Sequence, residues 1–142
     1  MPEHAEQRFL PYTPDKLFDL VADIERYPDF LPWCVGAKIL DRVDNIIVAD
    51  LMIGFKFIRE TFTSEVILTA PTRIDVKYQK GPFKFLRNYW KFETDPAGCV
   101  IVFFIEFEFR SRILRTLMEP LFNEAVRQMV SAFETRANKI YG

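Results

Sequence analysis

The last third of the chain constrains the fold most, because a strand pattern runs almost directly into a long helix pattern. Every odd-numbered position of residues 99–110 is apolar, while the even-numbered positions change from apolar to charged along the segment. Such alternation predicts a β-strand with one continuously buried face. Residues 112–140 repeat apolar side chains every three to four positions, which predicts an amphipathic helix with a wide apolar stripe. A large apolar sheet face beside this helix must either pack solidly or enclose a space.

Pro120 interrupts the helix pattern. An unbroken helix over these residues would be about 43 Å long. A proline lacks the N–H donor and clashes with the carbonyl four residues earlier, so we expect a kink or break near Thr116 and Leu117. Two interpretations remain open. Either the helix begins near Met118 after a separate turn at residues 113–117, or Pro120 forms a hinge at the mouth of a cavity.

The remainder of the chain predicts one strand, one or two short helices and then a run of strands. Thr13 suits the cap of the first helix, Pro14 fits its first position, and apolar spacing supports the helix to about Asp23. Residues 24–31 predict an additional short helical turn, which Pro28 and Pro32 bound.

Turn signals at regular intervals divide the central part of the chain, which is typical of an antiparallel meander. The predicted strands are residues 4–10, 37–43, 46–55, 56–69, 73–80, 85–94 and 99–110. Strands followed by one long helix predict an α+β fold, in which a curved antiparallel sheet of about six or seven strands wraps around that helix. With 142 residues, the chain is most simply a single domain over residues 1–142.

The composition favours an apolar interior. Hydrophobic residues make up 49% of the chain and include 15 phenylalanines, whose side chains offer no hydrogen-bonding group. The net charge of −1 gives no global electrostatic footprint for nucleic acid, so no DNA partner is expected. Cys34 and Cys99 lie far apart without a CxxC motif, and we expect buried thiols in a reducing compartment.

The sequence carries no sign of export or of a membrane span. The N-terminal residues are polar and charged, unlike a signal peptide, and no apolar run approaches the ~20 residues of a membrane helix. We therefore expect a cytoplasmic protein, either free in solution or peripheral on the inner face of the membrane.

The residue types that carry most enzyme chemistry are scarce. His4 is the only histidine, nitrogen and sulfur ligands are not clustered, and the five glycines stand apart. Glu106 and Glu108 share a strand face, and we interpret them as a solvated outer surface rather than a catalytic pair. No catalytic residues, no metal site and no cofactor are therefore predicted, and we do not expect an enzyme.

A cyclase that acts by shape, with a few polar groups and water, remains an alternative. The residues that would serve it are Arg59, Arg87, Tyr78 and Tyr89. Their side chains would have to point into a cavity rather than lie on the sheet surface.

Two predicted loops are unusually apolar. The first joins bulky side chains and prolines after the helical turn, and the second joins phenylalanines with interleaved lysines. Each suits an entrance or a membrane-touching tip, and the basic and aromatic second loop suits RNA equally. A loop folded over the core and an ordinary hairpin tip are the alternatives. The predicted entrance or membrane-contact residues are Phe30, Leu31, Pro32, Trp33, Phe83 and Phe85.

These segments resemble the Coq10 family, the ubiquinone-binding branch of the START-like, polyketide cyclase/dehydrase superfamily. The resemblance spans about residues 3–141. It rests on the YPxFLPWC segment at residues 27–34, Gly54-Phe55, the turn at residues 81–83, Trp90-x-Phe92 and residues 129–137.

The resemblance implies the helix-grip fold, with a hydrophobic tunnel between the curved sheet and the long C-terminal helix. It also implies the binding of a polyprenyl quinone such as coenzyme Q, in support of respiratory electron transport and without catalytic residues. A similar bacterial branch consists of ribosome-association toxins, which bind the large ribosomal subunit. Both roles stay open, and the protein is expected to be a monomer.

A tunnel of this kind would be lined by inward sheet residues and by the helix stripe, with Trp33 as a gate at the entrance. Methionines would let the wall adapt to an isoprenoid tail. The predicted ligand-binding residues are Trp33, Leu51, Ile53, Phe55, Trp90, Phe103, Ile105, Met118, Leu121, Phe122, Ala125 and Met129.

Overall fold

The computed structural model describes residues 3–55 and 58–142. Seven strands form one antiparallel sheet in the order β1-β7-β6-β5-β4-β3-β2. The strands are β1 (Glu3–Leu10), β2 (Cys34–Val43), β3 (Ile46–Phe55), β4 (Ile58–Thr69), β5 (Arg73–Lys80), β6 (Phe83–Asp95) and β7 (Gly98–Phe109). The helices are α1 (Pro14–Ala22), α2 (Tyr27–Phe30), α3 (Arg112–Met118) and α4 (Phe122–Tyr141). This arrangement confirms the predicted α+β, helix-grip fold.

The first helix forms as its sequence predicts. Thr13 is extended and its hydroxyl accepts from the backbone N–H of Lys16 at 3.4 Å, while Pro14 occupies the first helical position. The helix buries Leu17 and Val21, which are 1% and 2% exposed, against the sheet. α1 therefore closes one end of the fold with a solid apolar layer.

The alternating pattern of β7 also forms as predicted. Cys99, Ile101 and Phe103 are 0%, 4% and 1% exposed and face the concave side of the sheet. On the convex side, Glu106 accepts from Arg87 Nη1 at 3.3 Å. The charged residues of this strand therefore pair across the outer surface of the sheet.

The predicted break at Pro120 is confirmed, because the helix pattern is divided into two helices. α3 has its own cap, since the Ser111 hydroxyl accepts from the backbone N–H of Leu114 at 3.3 Å. A 3₁₀ turn at Glu119–Leu121 separates α3 from the 20 residues of α4, which span about 30 Å. The break lies after the expected position at Thr116, because Pro120 sits in the first turn of a new element, where its missing N–H donor is not needed.

The C-terminal half of α4 is fastened to the fold by polar contacts. Arg8 Nη1 lies 3.0 Å from Glu134 Oε1, and the Tyr12 hydroxyl donates to Asn138 Oδ1 at 2.6 Å. The Tyr141 hydroxyl donates to the Lys16 carbonyl at 2.9 Å. The N-terminal half of α4 instead continues from the α3 break over the concave face.

Bulges bend the sheet around the helices. Register shifts occur in the β2–β3 pair, at Thr63/Ser64 in the β4–β5 pair, and at Phe83/Phe85 in the β6–β7 pair. Cys34 and Cys99 are both free thiols. None of the described helices is long and apolar enough to span a membrane.

A candidate ligand cavity between sheet and helices

A cavity of about 270 Å³ lies between the concave face of the sheet and the helices α3 and α4. The strands β3 to β7 supply its floor, and the segment from α2 to the start of β2 closes one side. Phe103 and Trp90 lie in its wall with ring centroids 4.6 Å apart, and Phe133 of α4 packs on Trp90 at 5.0 Å. The sheet and helices therefore do not pack solidly along their whole length.

The structure brings together nearly all of the predicted ligand-binding residues. The cavity is lined by Trp33, Leu51, Ile53, Trp90, Phe103, Ile105, Met118, Leu121, Phe122, Ala125 and Met129. The side chain of Phe55 lies outside the described part of the chain. The placement of these residues agrees with the predicted faces of β3, β6 and β7, and their role in ligand binding stays a prediction.

The predicted entrance residues divide into two groups. Leu31, Pro32 and Trp33 line the cavity at its side. Phe30 instead packs on Phe133, with ring centroids 5.2 Å apart, and also carries the Arg136 guanidinium over its ring at 5.2 Å. The apolar loop is therefore partly folded over the core and partly placed at the cavity.

The interpretation of Phe83 as an exposed tip is wrong. Phe83 is 4% exposed and lines the cavity, where its ring stacks on Phe109 at 5.0 Å and meets Phe62 edge-on at 5.4 Å. β6 begins at this residue rather than at Phe85, so the aromatic side chain belongs to the inward face. Phe85 is half-buried and is not among the lining residues.

Trp33 is held at the cavity by an unusual backbone. Its φ is 64°, in the left-handed region that non-glycine residues rarely adopt. Its carbonyl accepts from the Gly54 N–H at 2.8 Å, which ties the loop to the end of β3. Such a conformation costs on the order of 1–3 kcal/mol and persists where the surrounding structure fixes it.

Further lining residues were missed because the sequence interpretation assigned strands without assigning every inward face. The alternation of Phe62, Ser64 and Val66 on β4 was a usable signal. The missed residues are Ile24, Tyr27, Cys34, Ala49, Phe62, Ser64, Val66, Ile74, Val76, Phe83, Leu86, Asn88, Phe107, Phe109, Val126 and Phe133.

The described lining residues contain no charged side chain. Three of the polar lining residues donate hydrogen bonds to backbone carbonyls. Tyr27 donates to Val21, Cys34 Sγ donates to Gly36 at 3.6 Å, and Asn88 Nδ2 donates to Phe104 at 2.7 Å. The cavity therefore suits a mostly apolar ligand with few polar atoms.

A family model described as "Polyketide cyclase / dehydrase and lipid transport" matches residues 10–134. The chain belongs to this family. The match confirms the resemblance seen in the sequence, and it covers every described strand except most of β1.

Two named relatives of the chain point to different roles. The "Ribosome association toxin RatA" of Rickettsia prowazekii is 39% identical over 137 residues, which are 94% of each chain. The "Coenzyme Q-binding protein COQ10 homolog B" of Xenopus laevis is 32% identical, over 99% of this chain and 59% of that protein. A START superfamily protein from Mycobacterium smegmatis, 17% identical, superposes with a TM-score of 0.82 over 97% of this chain and 98% of that chain, and shows likeness of fold.

The family description names cyclases and dehydrases as well as lipid transport. The protonation states of the polar lining residues therefore bear on whether the cavity could act on a ligand. Burial raises the pKa of the Tyr27 phenol far above its usual range, with smaller contributions from Cys34 and Asp23. Burial likewise raises the pKa of the Cys34 thiol, and the contact with Gly36 opposes this only in part. Both groups stay protonated at neutral pH, so neither provides a general base.

The four residues that would have served a cyclase lie elsewhere. Tyr89 stacks on Phe104 at 5.3 Å on the convex face, and Arg87 pairs there with Glu106. The Tyr78 hydroxyl accepts from the Phe83 N–H at 3.0 Å, and Arg59 is exposed. None of these side chains is among the lining residues that the structure describes.

Proposed function

We propose that this protein is a non-catalytic carrier or chaperone of a polyprenyl quinone such as coenzyme Q, in support of respiratory electron transport. The observation that carries the proposal is a cavity of about 270 Å³ whose described lining is uncharged and mostly aliphatic or aromatic. Burial of an isoprenoid chain in such a cavity is favourable by roughly 25 cal/mol per Å² of apolar surface. The relative that is named for coenzyme Q binding supports the same ligand class.

The size of the cavity limits how much of the ligand it holds. Pockets for drug-sized ligands typically enclose about 300–1,000 Å³. The observed 270 Å³ therefore suffices for a ring and the first part of a tail, but not for a whole long polyprenyl chain. The remaining tail would leave through the mouth beside Met118, Leu121 and Ala125, where the lining is partly exposed.

The surface beside this mouth suits a lipid bilayer. Ile113, Leu117 and Leu121 form a stripe on α3 and the following turn, and they are 71%, 45% and 41% exposed. Arg110, Arg112 and Arg115 lie in the same segment, in which residues 110–118 contain no acidic side chain. Apolar side chains flanked by arginines match an anionic membrane surface.

The proposal predicts that the protein carries a quinone when it is made in its own host. The test is organic-solvent extraction of the purified protein followed by mass spectrometry, together with quinone transfer between liposomes. Recovery of no quinone or other lipid, together with no transfer, would contradict the proposal.

A bulky side chain at Ala125 should block binding. Ala125 is half-buried on the cavity side of α4, so Ala125→Phe places a ring in the space proposed for the ligand. We expect transfer to fall at least about tenfold, with the fold intact. Asn123→Phe introduces the same ring on an exposed position of the same helix and should leave transfer unchanged.

A second candidate function is association with the large ribosomal subunit. The relative named as a ribosome association toxin covers 94% of this chain at 39% identity, which favours this role independently of the cavity. Co-sedimentation with large subunits should then weaken steeply as salt rises. Ala125→Phe separates the two functions, because ribosome association without a ligand should not respond to a filled cavity.

A further inference from the structure

One polar atom in the cavity wall has no hydrogen-bond partner among the described residues. It is the hydroxyl oxygen of Ser64, a residue that is 4% exposed and lines the cavity. A buried hydroxyl without a partner has lost its bonds to water without replacement, and native structures rarely tolerate this without a reason. Tyr27, Cys34 and Asn88 of the same wall each donate to a backbone carbonyl instead.

The local backbone directs Ser64 into the cavity. The register of the β4–β5 pair shifts between Thr63 and Ser64. Thr63 pairs with Lys80 but Ser64 pairs with Tyr78, so Gln79 has no pairing partner on β4. The extra residue of this bulge is on β5, and Ser64 keeps its place in the inward alternation of Phe62, Ser64 and Val66 on β4. The neighbouring Thr63 has a partner, because its hydroxyl donates to Asp50. The lack of a partner is therefore specific to the inward-facing hydroxyl.

Ser64 lies well inside the mouth. Along the β3–β4 pair, the half-buried Ile53 faces Glu60, and the buried Ala49 faces Ser64. Four residues separate the two pairs, which corresponds to about 13 Å along the strand. Ala49 is 3% exposed, so the wall around Ser64 is closed to solvent.

We infer that the Ser64 hydroxyl donates a hydrogen bond to a ring carbonyl oxygen of the quinone, which enters the cavity ring first. This inference rests on the proposed carrier function. The carbonyl restores the bond that Ser64 lacks, and the apolar mouth receives the isoprenoid tail. A ring-first orientation also agrees with a cavity that holds only part of the ligand. The ligand class is thus a ring bearing a hydrogen-bond acceptor on an apolar tail, rather than a plain hydrocarbon.

The test compares two ligands on two proteins. Decylubiquinone carries the ring carbonyls, and decylbenzene has a similar apolar tail without them. In Ser64→Ala, we expect decylubiquinone affinity to fall about two- to tenfold, as for the loss of one neutral hydrogen bond, with decylbenzene affinity unchanged. The midpoint of thermal unfolding without ligand should stay the same or rise, because the variant removes an unpaired buried hydroxyl. Thr61→Ala alters an exposed residue of β4 and serves as the control.

The outcomes separate this inference from the proposed function. If Ser64→Ala binds decylubiquinone as tightly as the wild-type protein, the hydrogen bond is refuted and the carrier function stands. If both ligands weaken equally, the substitution acts through cavity shape and the inference is also refuted. If the wild-type protein binds no quinone, both proposals fail.

Discussion

At the scale of single residues, Gly98 shows how closely the β6–β7 turn meets the chain after β1. A Cβ atom at this position would lie 2.2 Å from the carbonyl oxygen of Leu10, which is backbone and cannot rotate away. We expect Gly98→Ala to lower the free energy of unfolding by about 1–3 kcal/mol, as in other overpacked sites. Gly36→Ala is the matched control, because its nearest contact would be an ordinary 3.5 Å to Met52. Equal urea-unfolding midpoints for the two variants would contradict the close approach.

The buried thiol of Cys99 makes stability depend on pH above neutrality. Burial, with smaller effects of Glu93 and Asp95, raises the pKa of this thiol to about 11 from 9.0. The folded state therefore keeps the proton longer than the unfolded state, so stability is lost as the pH rises from about 9 towards 11.

The measurement is the free energy of unfolding between pH 8 and pH 10.5, compared between wild type and Cys99→Ala. Subtraction removes the contribution of groups common to both proteins, Tyr27 and Cys34 included. The wild-type protein should lose more stability across this range than the variant. Parallel curves would show that the Cys99 thiol titrates alike in both states.

The contribution of Ser64 shows where prediction from sequence ends at this scale. Its inward direction follows from alternation with Phe62 and Val66, which the sequence displays. The lack of a hydrogen-bond partner for its hydroxyl does not follow from the sequence. It depends on a register shift against β5 and on which groups meet across the cavity. Likewise, Phe83 belongs to the inward face because β6 begins at this residue and not at the predicted Phe85.

At the scale of elements, α3 is apolar on two sides. Leu114 and Met118 pack on the core, while Ile113 and Leu117 are exposed on the adjoining face, about 100° around the helix. If α3 contacts membranes, replacing both exposed residues with serine should weaken binding to anionic vesicles by at least about tenfold, since each buried side chain contributes about 1.5–3 kcal/mol.

The assay is vesicle co-sedimentation with phosphatidylcholine containing 30% phosphatidylglycerol, at about 0.1 M salt. Ile140→Ser is the matched control, because Ile140 is 49% exposed but lies at the far end of α4. Vesicles of phosphatidylcholine alone should bind more weakly, since the arginines lose their counter-charges. Unchanged binding of the double variant would rule out α3 as the contact.

The elements themselves were largely predictable, and the exceptions have physical causes. The bounds of β3 and β5 match the strand pattern, since Asp44-Asn45 precedes β3 and turn residues limit β5 at both ends. Pro120 predicts that the helix breaks but not at which residue, because a proline is tolerated in the first turn of a new element. The separate cap at Ser111 fixes α3 as a helix of its own.

At the scale of the whole molecule, the sequence predicted which faces line the cavity better than it predicted the volume of the cavity. Periodicity of β3, β7 and α4 identified the inward faces. Whether those faces enclose a space depends on the curvature of the sheet and on the position of the α3–α4 break, and no local pattern encodes either of these. The cavity of about 270 Å³ results from these three-dimensional features.

The most direct test of the account asks whether a quinone ring enters this cavity. The chain has two tryptophans, so Trp33→Phe leaves Trp90, which is 4% exposed in the cavity wall, as the only tryptophan. Titration of this variant with decylubiquinone should give saturable quenching of Trp90 fluorescence, and adding Ala125→Phe should abolish it. Quenching that rises linearly with concentration and is unchanged by Ala125→Phe would show that the quinone stays outside and would contradict the account.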